Sequence, residues 1–123
     1  MHALRHVHEL LVPHGTLVDL HPMTEEQVEA ADRTIVGVIE DPAFSVDLPN
    51  AEACLQEAVR DGLYALEDEI EFDFLQHFDQ VEELIQRKQE NLADQPALVR
   101  KIHAATPPLV IREHAVLRRL RVR

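Results

Sequence analysis

The stretch Leu10-Leu11-Val12-Pro13-His14-Gly15-Thr16-Leu17-Val18-Asp19-Leu20-His21-Pro22 constrains the fold more than any other part of the chain. Leu4, Val7, Leu10 and Leu11 fall at helical spacing, with His6, His8 and Glu9 between them. That spacing predicts an amphipathic helix over residues 2–12. Pro13 has no N–H to donate and fixes its own φ, so the helix ends there, and Gly15 supplies a turn. Thr16 to Leu20 is a short β-prone run, closed by Pro22. Its Leu17, Val18 and Leu20 suit a strand covered on both faces, as an internal place in a parallel sheet would provide. Helix, tight turn and buried strand, in that order, make half of an α/β unit.

Residues 24–50 leave helix, hairpin and loop open. Thr24 and Gln27 fit a capping box, and Glu25 and Glu26 suit a first helical turn. Yet Val28 is the only large apolar residue between 24 and 33. Thr34 to Ile39 is rich in β-branched residues and predicts a strand, which Asp41-Pro42 breaks. Asn50 is a good N-cap, and Ala51, Leu55, Ala58 and Val59 form the stripe of a helix over about 51–61. Gly62 is placed to terminate it.

From Ile70 the chain alternates, with Ile70, Phe72 and Phe74 on one face and Glu71 and Asp73 on the other. This predicts a half-buried strand with an acidic face, ending at Phe78-Asp79. Asp79 can cap a helix carrying Val81, Leu84 and Ile85, and Pro96 suits the first turn of another carrying Leu98, Val99 and Ile102. Pro107-Pro108 ends that helix, and Leu109 to Val122 reads as a long final strand. The acidic strand carries Glu67, Asp68, Glu69, Glu71 and Asp73, and the final strand carries Arg112, Arg118, Arg119 and Arg121, with Arg123 following. Opposite charges facing each other across adjacent strands contribute about 0.2–1 kcal/mol a pair. The two strands are therefore expected to be antiparallel neighbours.

A chain of 123 residues with 46% hydrophobic residues suggests one domain, residues 1–123, with a core of its own. Asp plus Glu number 23 against 12 Lys plus Arg, a formal charge of −11. That balance argues against nucleic acid or an anionic membrane as partner. Cys54 is the only cysteine, so neither an intramolecular disulfide nor a cysteine metal cluster can form. On the helix it reads as a buried, inert thiol. No apolar run approaches the length of a membrane span, and the first residues lack the apolar stretch of a signal peptide, which makes the cytoplasm the default location.

The helix, the Leu-x-Pro-x-Gly turn at Leu11, Pro13 and Gly15, and the run Thr16-Leu17-Val18-Asp19-Leu20-His21-Pro22 resemble the late part of a class I S-adenosylmethionine-dependent methyltransferase. In that family a helix and a Pro-Gly-Gly turn lead into the fifth strand of the sheet. Here the turn is Pro13-His14-Gly15, with the middle glycine replaced. A helix ending at Gly62, a long strand ending at Phe78-Asp79, two helices and a last strand resemble the family's closing antiparallel pair. The resemblance spans essentially the whole chain. It implies an α/β (α+β) fold, a partial Rossmann-like methyltransferase sheet with a C-terminal antiparallel strand pair and flanking helices. The family holds its cofactor with a glycine-rich loop and an acidic residue, because glycines let the backbone approach the ligand and a carboxylate holds the ribose hydroxyls. Gly15, Gly37 and Gly62 are the only glycines, and no Gly-x-Gly occurs. The resemblance thus implies that the N-terminal, cofactor-binding half is absent. No cofactor-binding and no catalytic residue carries over, and S-adenosylmethionine is expected only if that half is supplied.

Three function classes follow. The first is a methyltransferase-like protein, non-catalytic alone, that acts through self-association or a partner chain. Strand 16–21 would have an unpaired edge, which invites a homodimer or a partner strand. The second is a working part of a methyltransferase whose cofactor site is supplied in trans or by a missing N-terminal segment. The third is a small metal- or ligand-binding protein. His2 and His6 lie four apart on one helix face and are candidate metal ligands, with Glu9 or His21 as a third, against the simpler reading of a polar face that uses His. Asp19 and His21 lie on one side of their strand near its carboxyl end, where doubly wound folds bind ligands. They mark a possible vestigial crevice, against the simpler reading of a turn residue and a His preceding a proline loop.

Overall fold

The computed structural model describes residues 2–123, with the main chain alone for His2. The elements are α1 (His2–Leu10), β1 (Thr16–Pro22), β2 (Glu26–Glu29), β3 (Ile35–Ile39), α2 (Phe44–Arg60), β4 (Tyr64–Phe78), α3 (Val81–Arg87), α4 (Gln89–Leu92), α5 (Pro96–Ala104) and β5 (Leu109–Val122). This is a mixed α+β fold with a five-stranded antiparallel sheet. Its strand order is β1-β5-β2-β3, and β4 also pairs with β5. The residues group into two compact units, to both of which β4 and β5 contribute.

The first unit comprises Met1–His21, Pro42–Phe72 and Ala115–Arg123. After α1 the chain turns through His14, at φ 65°, and Gly15. A Cβ on Gly15 would lie 2.9 Å from the Val12 carbonyl oxygen, so the turn is too tight for a side chain there. The His14 N–H donates to the Val122 carbonyl at 3.0 Å, and the Val122 N–H donates to the Gly15 carbonyl at 2.8 Å. These bonds start β1 antiparallel to the end of β5. Leu17, Asp19 and His21 are half-buried, whereas Thr16, Val18 and Leu20 are exposed. The expectation of a parallel strand covered on both faces is corrected. β1 is the terminal strand of an antiparallel sheet, and such a strand needs to bury only one face.

Leu55, Ala58, Tyr64, Leu120 and Val122 form the core of this unit, with Leu4, Leu11 and Leu17 packed against it. The helix carrying Leu55 and Ala58 begins at Phe44 rather than after Asn50. Pro49 lies inside it, where its missing N–H leaves the Ser45 carbonyl without its helical donor. The first turn is held instead by the N–H groups of Val46 and Asp47, both donating to the Ala43 carbonyl, and by the Ser45 hydroxyl donating to Pro42. Asn50 is therefore an interior residue. Gly62 closes the helix as expected, at φ 78°, a conformation that side chains resist.

The second unit comprises Pro22–Asp41 and Asp73–His114. Its core holds Val28, Ile39, Leu84, Leu98, Ile102, Leu109 and Ile111 among other apolar residues. Residues 26–39 form a hairpin, with Glu26 opposite Ile39 and Val28 opposite Gly37. β2 also pairs with β5, Val28 opposite Ile111. Thr24 does not cap a helix; its hydroxyl accepts the His114 N–H at 2.9 Å. The hairpin turn places Arg33 at φ 69°, and the Asp32 carboxylate accepts the Thr34 N–H at 3.0 Å. Gln80, not Asp79, immediately precedes α3, while Pro96 begins α5 as expected. The Pro107–Pro108 peptide is cis.

The long strands pair antiparallel, as their charges predict. In the first unit Arg121 donates to Glu67 at 2.6 Å and Arg118 to Glu69 at 2.9 Å. In the second, Arg112 donates to Asp73 at 2.8 Å and to Glu29 at 2.7 Å. The acidic face of β4 is thus largely a set of arginine acceptors. Ile70 and Phe74 are exposed, however, and of the three expected apolar residues Phe72 alone is half-buried.

Candidate functional site

The polar residues that the first unit brings together are Asp19 and His21 on β1, Glu52 on α2, Arg118 on β5 and Glu69 on β4. Strand alternation puts Asp19 and His21 on the inward side of β1. Arg118 belongs to the inward set of β5 with Leu120 and Val122, and only 7% of its surface is exposed. A guanidinium so buried needs acceptors on every side. It donates to Glu52 through Nη1 at 2.8 Å and Nη2 at 3.0 Å, and to Glu69 through Nε at 2.9 Å. Asp19 lies 3.5 Å from its Nη1.

His21 stands between two carboxylates. Its Nδ1 is 2.9 Å from Asp19 and its Nε2 is 2.5 Å from Glu52. The two contacts together engage both ring nitrogens. The Arg118 guanidinium, and after it His21, holds the Glu52 carboxyl below the ordinary glutamate range, against the opposing effect of burial. Glu52, and after it Glu69, raise the Arg118 guanidinium above its ordinary value, against the opposing effect of burial.

Beside this cluster lies a cavity of about 340 Å³, lined mainly by apolar residues of α1, β1 and α2 that include Leu4, Leu17 and Leu55. Asp19, His21 and Cys54 are also in its wall. Cys54 is half-buried rather than fully enclosed. Both ring nitrogens of His21 are engaged by carboxylates of the protein itself, Asp19 and Glu52. In this arrangement the cluster binds elements to one another: it ties α2 to β1, β4 and β5.

The two strand residues singled out as a possible crevice therefore meet, and they meet each other. Glu52, Arg118 and Glu69 complete the cluster. Arg118 was legible only as one of several arginines, and the informative signal was its phase: it alternates with Leu120 and Val122, so it had to face inward and find acids there. Glu52 had no comparable signal on α2. The candidate metal ligands fare differently. The side chain of His2 lies outside the described residues, and His6 and Glu9 are exposed. Among the described residues no group of three His, Cys, Asp or Glu is arranged to hold a metal ion.

None of the three glycines lies in a loop with another glycine nearby. Gly15 is fitted under the Val12 carbonyl, a Cβ on Gly37 would meet Leu98 Cδ1 at 2.6 Å, and Gly62 ends a helix. Each glycine is taken up by packing or by a turn. Comparison with protein-family models, curated proteins and solved structures finds no match to the chain. Among the described residues no helix is long and apolar enough to cross a membrane.

Proposed function

We propose that this chain is a methyltransferase-like scaffold that holds no cofactor alone and acts by association through β1. The observation that carries the reading is the state of that strand. β1 ends the strand order and pairs, among the described residues, with β5 only. Its outward face presents Val18 and Leu20 at 61% and 57% exposure. An unpaired strand edge beside apolar side chains is a template for another chain.

The methyltransferase likeness is supported by the order of elements. A helix leads through a Pro-x-Gly turn into β1, and the last strand returns antiparallel to a long preceding one. His14 adds to this: it stands where the family turn has its middle glycine, and it adopts a left-handed conformation that glycine takes without cost.

Calorimetric titration of S-adenosylmethionine into the purified chain, with the mass in solution measured on the same sample, tests the proposal. No binding heat together with a mass above that of the monomer is expected. One-site binding of the cofactor would overturn the claim that the chain holds none alone, and a strictly monomeric mass at every concentration would overturn the claim of self-association.

A further inference from the structure

We propose that the partner of β1 is a second copy of β1, paired antiparallel about a two-fold axis through Val18. The inference rests on the association reading above and specifies its interface.

The direction of the backbone groups comes first. At one end of β1 the Val122 N–H donates to the Gly15 carbonyl, and just past the other end the Met23 N–H donates to the His114 carbonyl. Antiparallel bonding advances two residues at a time. Odd-numbered residues between these points therefore turn their main-chain groups toward β5. The even-numbered Thr16, Val18 and Leu20 turn theirs toward the open edge.

Charge on this strand is confined to its inward face, where Asp19 and His21 are engaged by Arg118 and Glu52. Natural edge strands block further pairing with charged side chains, bulges or proline. Thr16, Val18 and Leu20 carry no charge, and proline enters only at Pro22. What the edge offers is a short run of donors and acceptors, symmetric about Val18.

Self-pairing then has few registers, because directly opposed residues must share a face. Centred on Val18, the strand sets Val18 against Val18 of the second copy and Thr16 against Leu20, and each of these pairings exchanges two N–H···O bonds. On the inward face Leu17 opposes Asp19. Centred instead on Asp19, the two Asp19 carboxylates would face each other directly, which is destabilising. Thr16 would then also face Pro22, which has no N–H to give. Centred on Leu17, Leu20 passes beyond the end of the partner strand. The Val18 register alone uses the whole free edge without opposing like charges.

An isologous pairing of this kind closes after two copies. In the Val18 register the two Val18 Cα atoms lie about 5.5 Å apart, the spacing of a hydrogen-bonded antiparallel pair, which is within disulfide range. Leu20, in contrast, faces Thr16 rather than its own copy. The experiment is oxidative cross-linking of Val18→Cys and Leu20→Cys, each in a Cys54→Ala background, beside the solution mass of the wild-type chain and of Val18→Pro. The Val18 N–H points away from β5, so proline there removes an outward donor without breaking the β1–β5 ladder.

The expected result is a dimeric wild type, a monomeric Val18→Pro chain with unchanged circular dichroism, and a disulfide dimer from Val18→Cys but not from Leu20→Cys. If Val18→Pro fails to fold, the two cysteine variants decide. A dimeric wild type in which Val18→Cys does not cross-link, or Leu20→Cys cross-links equally well, overturns the register and leaves association standing. A monomeric wild type overturns both.

Discussion

Arg118 and Glu52 meet through two side-by-side N–H···O bonds of 2.8 and 3.0 Å, with Arg118 only 7% exposed. Bidentate pairs of this kind are strong and directional. Their burial makes them unforgiving, because removing Glu52 leaves the buried guanidinium only partly compensated, by Glu69 at 2.9 Å and Asp19 at 3.5 Å. Glu52→Ala should destabilise the protein by about 3 kcal/mol on this ground. Adding Arg118→Met should recover part of that loss, since it removes the under-compensated cation and supplies apolar volume. Chemical denaturation of both variants checks this. A single variant within a few tenths of a kcal/mol of wild type would show that the pair carries no such strain.

The same carboxylate sets an acid limit. Glu52 lies below the ordinary glutamate value of 4.5 because Arg118, then His21, favours its ionised form. Asp73 is lowered in the same sense, by His114 and then Arg112. A carboxyl lowered in the folded state contributes stability that is fully present above its unfolded value and is lost as pH falls through the lower, folded one. Stability should therefore decline below about pH 4.5. Glu52→Gln should be less stable at neutral pH and should show a shallower acid decline, with Asp73 supplying part of what remains. Urea denaturation across a pH series, compared between the two proteins, measures both slopes.

Glu113, in the second unit, has the opposite sign. Burial, and after it the neighbouring Glu26, raises its carboxyl, while Lys88 partly offsets them. A raised carboxyl penalises folding once it ionises, and the penalty is complete above its folded value. Glu113→Gln should raise the melting temperature at neutral pH and change nothing in strong acid, where both chains are uncharged at that position. A variant that melts lower at neutral pH would refute this.

How far the fold was legible depended on whether local and tertiary signals agreed. β5 was visible at its true ends because Pro108 bounds it and alternation runs through it. The β4–β5 pairing was visible because five acids and five arginines have no better place to go. α2 was misjudged at its start because Pro49 and Asn50 are strong local signals for a boundary, and the turn at Ala43 to Asp47 overrides them. The 26–39 hairpin was hidden because the capping-box residues Thr24 and Gln27 mimic a helix start, while Val28, the one large apolar residue between 24 and 33, says nothing about period.

β1 shows the other kind of failure. Leu17, Val18 and Leu20 are apolar whether one face is covered or both, so composition could not separate an internal strand from a terminal one. The cluster around it was half legible. Asp19 and His21 share a face by alternation, which the chain shows at once. Their partners Glu52 and Arg118 are 33 and 99 residues from Asp19, and only the fold brings them together.

Tyr64 links α1 to the core of the first unit. It is fully buried, its hydroxyl donates to the Leu4 carbonyl at 2.8 Å, and the His8 ring meets it edge-on at 5.5 Å. Burial raises the phenol above its ordinary value. Tyr64→Phe keeps the packing and removes the donor, so it should cost about 1 kcal/mol. Amide exchange should quicken in residues 2–10 more than in α2, because the lost bond is an anchor of α1. Uniform acceleration across both helices would mean that α1 is held by its apolar face alone.

Gly37 sits opposite Val28 on β3, and a Cβ there would lie 2.6 Å from Leu98 Cδ1. Leu98 is 8% exposed and belongs to the second unit's core, so its methyl group has little room to retreat. Gly37→Ala should therefore cost about 1–3 kcal/mol through overpacking. The strand itself would favour alanine over glycine, so any loss must come from this one contact. Leu98→Val in the Gly37→Ala background should restore part of the stability, although Leu98→Val alone removes buried surface and should destabilise. A double-mutant cycle by thermal denaturation separates the effects, and strict additivity of the two changes would show that Gly37 and Leu98 are not in competition for the same space.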